Sequence, residues 1–167
     1  MIYKKGRVIY IQIEEPGEVE YFQYTDLGFF RGFGVTDYPV FFKMWLRRFP
    51  KPIILVAVAD RDVVGFVYLE DWGEGSAKDG NPVYVIRTIE VIPKYQRRKV
   101  GATLACLGMS MVAGHIVSKP IDRRAERFFR SLNFKSSMEI SNPPVDMKRN
   151  CLLYTSDAAD ELDGVDI

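Results

Sequence analysis

Cysteine, histidine and long apolar runs are all scarce in this chain. It has two cysteines, Cys106 and Cys151, and one histidine, His115, and none of them has a partner at metal-ligand spacing. The sequence therefore predicts a protein without a zinc or iron site. No apolar run reaches the roughly 18 residues that span a bilayer, and the first residues lack the apolar core of a signal peptide. We expect no membrane span and a cytoplasmic protein.

What the chain does contain is the composition of one ordinary globular domain. Of its 167 residues, 47% are apolar and 27% are charged, a balance typical of a soluble chain with a single core. Residues 151–161 stand apart, because they resemble the in-frame translation of a sequencing-library adaptor. We therefore expect one domain over residues 1–150, with its natural C-terminus missing, and a non-native tail over residues 151–167, which we exclude from the fold prediction; a natural acidic tail is the alternative.

The charge of residues 1–150 is modestly positive. The tail holds five acidic residues and no Lys or Arg, which leaves 23 basic and 17 acidic side chains in the domain, a net charge of +6. This excess suits an anionic small-molecule partner and is smaller than the bias of a nucleic-acid-binding domain. We expect no nucleic-acid partner and no membrane partner.

Strand and helix patterns alternate along the domain. β-branched and aromatic runs predict strands over residues 7–13, 52–59, 63–72 and 82–92. A helix is expected from Asp37 to about Arg48, because Asp37 can cap it and Pro39 suits its first turn. An apolar stripe predicts a second helix from Val100. This alternation favours an α/β (α+β) domain.

The junction between the last of these strands and the second helix carries the most informative pattern. A helix N-terminus presents unpaired N–H groups and the positive end of the helix dipole, which together favour a phosphate group. Gly101 has no side chain to keep a ligand from the backbone. Positive charge comes from three consecutive residues, Arg97, Arg98 and Lys99. The expected ligand is a pyrophosphate.

This junction resembles the coenzyme A loop of the GNAT superfamily of N-acetyltransferases. Residues 96–102 read Gln-Arg-Arg-Lys-Val-Gly-Ala, against the family's Gln/Arg-x-x-Gly-x-Gly/Ala, and Lys99 stands at the first glycine. The resemblance implies a central mixed, mostly antiparallel sheet flanked by helices on both faces. It also implies that acetyl-CoA binds with its pyrophosphate on the loop and its pantetheine arm along the preceding strand. The implied coenzyme-binding residues are Ile89, Val91, Gln96, Arg97, Arg98, Lys99, Val100, Gly101, Ala102 and Phe129.

A second motif supports the same family. Residues 125–134, Ala-Glu-Arg-Phe-Phe-Arg-Ser-Leu-Asn-Phe, are similar to the family's Ala-x-x-Phe-Tyr-x-x-Leu-Gly-Phe. Asn133 replaces the glycine, and Asn tolerates the left-handed position that ends a helix. Phe129 replaces the tyrosine that many members use to protonate the leaving thiolate, and a phenyl ring has no proton to give. That acid is therefore absent or comes from elsewhere. Residues 134–140 are expected to add a strand.

Glu90 is the candidate general base. Alternation along its strand puts it on one face with Tyr84, Ile86 and Thr88, and we expect that face to border the acceptor cleft. A carboxylate there can accept the ammonium proton that must leave before the amine attacks. A surface or salt-bridged glutamate is the alternative. The aromatic region before it corresponds to the family's acceptor site and adds five candidates, Phe29, Phe30, Phe33, Tyr38 and Trp45.

These patterns predict an acyltransferase that moves the acetyl group of acetyl-CoA to a primary amine by direct attack in a ternary complex. The acceptor is an amine of a small molecule or a protein, and the resemblance also implies that this chain can form a homodimer. Two alternatives stay open. One is an acetyl-CoA-binding sensor of the same fold without catalysis, which Phe129 favours. The other is a nucleic-acid-associated protein that uses the basic stretch over residues 123–130.

Overall fold

The computed structural model describes residues 1–25, 27, 37–147 and 152–155. The helices in this part of the chain are α1 (Tyr38–Leu46), α2 (Val100–Ser110) and α3 (Arg123–Ser131), and two 3-10 helices cover Pro16–Tyr21 and Pro93–Tyr95. The strands are β1 (Ile2–Lys5), β2 (Val8–Ile13), β3 (Ile53–Ala59), β4 (Asp62–Asp71), β5 (Val83–Val91), β6 (His115–Ser118) and β7 (Leu153–Thr155). The four strands predicted over residues 7–13, 52–59, 63–72 and 82–92 and the first two predicted helices are confirmed within a few residues.

These strands form one sheet, in which they lie side by side in chain order from β1 to β7. The neighbouring strands are antiparallel except for β5 and β6, which are parallel. A parallel pair needs a long crossover connection, and α2 lies in the connection between β5 and β6. The prediction of an α/β (α+β) fold with a mixed, mostly antiparallel sheet is confirmed.

The helices cover both faces of this sheet. On one face, which we call the α1 face, Trp45 of α1 stacks on Tyr68 of β4 with ring centroids 4.5 Å apart. On the other, the α2 face, α2 packs so closely that a Cβ on Gly108 would stand 2.8 Å from Leu69. Tyr68 and Leu69 are consecutive and therefore point to opposite sides of β4. No helix within the described ranges is long and apolar enough to span a bilayer.

A bulge at Arg87 reverses the alternation along β5. The register with β4 skips this residue, so that Ile86 lies opposite Leu69 and Thr88 lies opposite Tyr68. Opposite residues share a face, which puts Ile86 on the α2 face and both Thr88 and Glu90 on the α1 face. The expectation that Tyr84, Ile86, Thr88 and Glu90 share one face is therefore wrong for Tyr84 and Ile86, because one extra residue separates them from the others.

The C-terminal segment contributes to the sheet. β7 pairs with β6, and Leu152 and Leu153 are each only 5% exposed. Residues 152–155, which the fold prediction excluded, therefore cover the edge of β6 with their backbone and apolar side chains. The non-native origin of the tail stays a prediction. The strand expected over residues 134–140 is reduced to a single bridge between Lys135 and Tyr154.

Candidate functional site

The loop between β5 and α2 contains two left-handed residues. Arg97 has φ 58° and Lys99 has φ 60°. Lys99 is the N-cap of α2 and stands where the related motif has glycine, the residue that adopts this conformation without steric cost. Left-handed residues in a turn direct successive backbone N–H groups into a shared concavity that attracts anions. The loop therefore has the backbone form of an anion-binding turn despite its lysine.

The N-terminus of α2 has free hydrogen-bond donors. Lys99 provides no side-chain cap, and the first bond of the helix runs from the Thr103 N–H to the Lys99 carbonyl at 2.9 Å. Within the described residues, the N–H groups of Val100, Gly101 and Ala102 make no hydrogen bond. The side chains of Arg97, Arg98 and Lys99 are exposed around them. Free donors, the helix dipole and three cations together suit a phosphate or pyrophosphate.

Gln96 braces this loop. Its Nε2 donates to the Val91 carbonyl at 2.8 Å, and its Oε1 accepts from Nη2 of Arg124 at 2.7 Å. The side chain thus links the end of β5 to α3. The contact between Gln96 and Arg124 is not among the sequence-based predictions, because no spacing reveals two residues that meet only in the folded chain.

The far edge of β5 is open beside the loop. β6 pairs with β5 only from Val83 to Ile86, so β5 continues to Val91 without a neighbour on that side in the described part of the chain. The Ile92 N–H donates to β4, and backbone groups alternate between the two edges of a strand. Ile89 and Val91 therefore direct their backbone groups to the open edge. This geometry fits an extended ligand arm, with the Val91 carbonyl already used by Gln96.

Gly101 has a structural surrounding that the sequence did not indicate. A Cβ at this position would lie 3.5 Å from both the Phe128 ring and the Val91 side chain, which is ordinary contact distance. The missing side chain would therefore point toward the packed interior between α3 and β5. Its absence therefore does not clear space for a ligand in front of the loop, although the Gly101 N–H remains among the free donors of α2.

Glu90 and Tyr38 meet on the α1 face. The Tyr38 hydroxyl donates a hydrogen bond to Oε2 of Glu90, and both side chains belong to the sequence-predicted candidates. Burial raises the pKa of Glu90, and the hydrogen bond from Tyr38 partly opposes that shift. Burial and the neighbouring carboxylate raise the pKa of Tyr38. A half-buried carboxylate with a raised pKa is a stronger base than an exposed glutamate, which suits it to accept a proton.

The other candidates lie outside this pair. Phe129 is 4% exposed and packs edge-on against Phe134, 5.2 Å between centroids, so its contacts within the described residues are those of a core ring. Trp45 also lies in the core, on Tyr68. Phe29, Phe30 and Phe33 lie outside the described residues. The place of Phe129 in the coenzyme site stays a prediction.

Cys106 and His115 both have structural surroundings. Cys106 is buried in α2. His115 lies between Asp79, at 2.7 Å from its Nε2, and the Tyr154 hydroxyl, at 3.2 Å from its Nδ1. No group of three or more metal-ligating side chains lies within residues 1–25, 27, 37–147 and 152–155.

The profile of the Acetyltransferase (GNAT) family matches residues 19–134, most of the chain. The protein therefore belongs to the GNAT acetyltransferase family, as the two motifs predicted. No curated protein sequence matches it closely enough to serve as a relative.

Several solved structures share the fold. A point mutant of the AtaT toxin, bound to the C-terminus of the antitoxin AtaR and acetyl-CoA, superposes with a TM-score of 0.65 at 14% identity over 96% of this chain and 99% of its own. An aminoglycoside acetyltransferase from an uncultured soil metagenomic sample, in complex with sisomicin, has a TM-score of 0.56 at 15% identity, over 75% and 86%. Ard1 from Thermoplasma volcanium has a TM-score of 0.56 at 16% identity, over 89% and 95%. At such identities the likeness shows the fold alone.

Proposed function

We propose that this protein is an N-acetyltransferase that transfers the acetyl group of acetyl-CoA to a primary amine by direct attack in a ternary complex. The observation that carries the proposal is the position of β5. Its open edge begins beside the uncapped, cationic N-terminus of α2, and its α1 face holds the Glu90–Tyr38 pair. One strand thus joins an anion site to a candidate base.

Acetyl-CoA fits the α2 end of this arrangement. The coenzyme's pyrophosphate matches the free N–H groups of Val100, Gly101 and Ala102, with Arg97 and Lys99 beside them. Its pantetheine arm then lies along the open edge of β5 and pairs with the backbone of Ile89 like an added strand. Bound acetyl-CoA in a protein of the same fold is consistent with this assignment.

Glu90 acts as the general base in this mechanism. The acceptor approaches from the α1 face and loses its ammonium proton to the carboxylate, and the free amine attacks the thioester carbon. The raised pKa of Glu90 makes its carboxylate a stronger base than an ordinary glutamate. Tyr38 positions the carboxylate through its hydroxyl. Because Cys106 is buried in α2, no exposed thiol among the described residues offers a route through an acetyl-enzyme.

The experiment measures acetyl-CoA binding by calorimetry, and CoA release in the presence of a polyamine, a lysine peptide, a free peptide N-terminus or an aminoglycoside. Glu90→Gln should leave affinity for acetyl-CoA unchanged and lower kcat by about 100-fold or more, since it removes the general base. Equal kcat for the variant and the wild type would exclude Glu90 as the base. Acetyl groups trapped on the enzyme without acceptor would contradict direct attack.

The pH profile tests the same residue. Glu90 accepts a proton only when ionised, so kcat/KM should rise with pH through a pKa above the ordinary glutamate value of 4.5. Tyr38→Phe removes the hydrogen bond that lowers this pKa, and should move the rising limb to higher pH. If kcat/KM rises at the same pH in Tyr38→Phe as in the wild type, the hydroxyl does not influence the titrating group.

The second candidate is an acetyl-CoA-binding sensor of the same fold. The specific observation in its favour is Phe129, a core ring at the position where related motifs have a phenol that protonates the thiolate. Tight acetyl-CoA binding without CoA release for any acceptor would support the sensor. Absence of binding by the folded 167-residue chain would contradict both functions.

A further inference from the structure

β5 and β6 form a fork that opens toward the coenzyme loop. Their last paired residues are Ile86 and Ser118. β5 then continues for five residues, about 16 Å at 3.3 Å per residue, before the loop that leads to α2. The open edge therefore connects the anion site at one end with the closed end of the fork at the other.

Ser118 lies at the closed end of this fork. It is 0% exposed, and its hydroxyl makes no hydrogen bond in the described structure. Buried hydroxyls are nearly always paired, because an unpaired one has lost its water without gaining a partner. The register puts its side chain on the α2 face with Ile86, the face over which α2 lies. Ser118 is thus an unsatisfied donor where an arm along β5 ends.

We propose that the Ser118 hydroxyl donates a hydrogen bond to the thioester sulfur of bound acetyl-CoA. This inference rests on the proposed function. With the pyrophosphate at the N-terminus of α2, the pantetheine arm runs back along β5 and brings its sulfur end to the fork. The hydroxyl is closed to water in the ligand-free protein and gains its partner when the arm enters between the strands.

The reaction then has a group on each side of the thioester. The amine nitrogen, on the α1 face, has already given its ammonium proton to Glu90; it forms its bond to the carbonyl carbon and releases its second proton to water. The carbon–sulfur bond breaks, and the electron pair stays on sulfur. Ser118, on the α2 face, keeps its own proton and stabilises the thiolate through the hydrogen bond, which grows stronger as charge develops. It supplies the hydrogen bond that Phe129 cannot donate.

Ser118→Ala in the 167-residue chain tests the proposal through three measurements. Affinity for acetyl-CoA should fall about 3- to 10-fold, as expected for one lost hydrogen bond. Affinity for adenosine 3′,5′-bisphosphate, which has no pantetheine arm, should not change. The melting temperature of the ligand-free protein should rise, because the variant removes a buried hydroxyl without a partner. If Ser118 had only a structural role, Ser118→Ala would not lower the affinity for acetyl-CoA while leaving the affinity for adenosine 3′,5′-bisphosphate unchanged.

Two further variants make the result decisive. Ser118→Cys keeps a weak donor of similar size and should have an intermediate affinity for acetyl-CoA. Thr103→Val removes another buried hydroxyl, on α2 beside Tyr10, and should leave both affinities unchanged. Unchanged acetyl-CoA affinity in Ser118→Ala, or an equal loss for both ligands, would overturn the role of Ser118 alone. A wild-type protein that binds neither ligand would overturn the proposed function as well.

Discussion

The N-termini of α3 and α2 satisfy their backbone donors in different ways. At α3, Oδ1 of Asp122 accepts a hydrogen bond from the Ala125 N–H at 2.7 Å. At α2, the N-cap is the left-handed Lys99, which provides no side-chain cap, and the next residues leave their N–H groups unbonded within the described structure. One helix start is closed by its own aspartate, and the other is open and surrounded by cations.

The difference separates a structural helix start from one that suits a ligand. An N-cap side chain contributes about 1 kcal/mol to stability, and α1 also has one, with Oδ1 of Asp37 accepting from the Val40 N–H at 3.1 Å. α2 lacks this contribution and adds a left-handed lysine. A bound anion would supply the missing acceptor. The comparison therefore predicts that changes at α2 alter ligand binding and that changes at α3 alter stability.

The largest effect is expected from reversing the charge at α2. Arg97→Glu combined with Lys99→Glu places two carboxylates beside the free N–H groups and should weaken acetyl-CoA binding by about 100-fold or more, measured by calorimetry. The physical reason is that the two new carboxylates repel the pyrophosphate, whereas the two cations that they replace attract it. The stability of the ligand-free protein should change by less than about 1 kcal/mol, since both side chains are exposed.

A matched control separates local from global charge. Lys4→Glu combined with Arg7→Glu changes the net charge equally in β1 and the turn after it, where both side chains are exposed. This pair should leave acetyl-CoA affinity within about twofold of the wild type at about 0.15 M salt, because distant exposed charges are screened. If both double variants weaken binding alike, general electrostatics and not the α2 site governs affinity.

A moderate effect is expected at α3. Asp122→Ala removes its cap and should lower the free energy of unfolding by about 1 kcal/mol, measured by urea denaturation. Acetyl-CoA affinity should be unchanged, since Asp122 faces its own helix. Asp122→Asn, which keeps a capping oxygen, is the control and should lose little stability. A large loss of acetyl-CoA affinity in Asp122→Ala would contradict the conclusion that the N-terminus of α3 has only a structural role.

The smallest effect is expected from restoring the family's glycine. Lys99→Gly removes the steric strain of a residue with a side chain in the left-handed backbone conformation. Glycine also increases the conformational freedom of the unfolded chain, so the free energy of unfolding should rise by only about 0.5 kcal/mol. It also removes one cation, so binding should become less sensitive to salt. The paired measurement is urea denaturation with calorimetry at two salt concentrations. A destabilised Lys99→Gly would show that the lysine makes a compensating interaction.

Local patterns in the sequence indicated the loop, the helix after it and the family. Asp37 and Val100 predicted their helices because capping and apolar periodicity act between near neighbours. The face of Glu90 was predicted only in part, since a bulge at Arg87 depends on how two strands align and not on one strand's own alternation. Residues 152–155 were missed because a resemblance to an adaptor says nothing about which edge a short apolar segment can cover.

The sequence by itself determined which residues form the cationic start of α2 and that Phe129 lacks a hydroxyl. Only the tertiary structure decided what those residues meet. It joined Glu90 to Tyr38, 52 positions apart, and Gln96 to Arg124. It also enclosed Ser118 at the point where β5 and β6 diverge. The physical reason is that charge and turn conformation are properties of residues that are neighbours in the chain. A hydrogen bond between distant residues, a raised pKa or a buried hydroxyl without a partner depends instead on which groups the fold brings together.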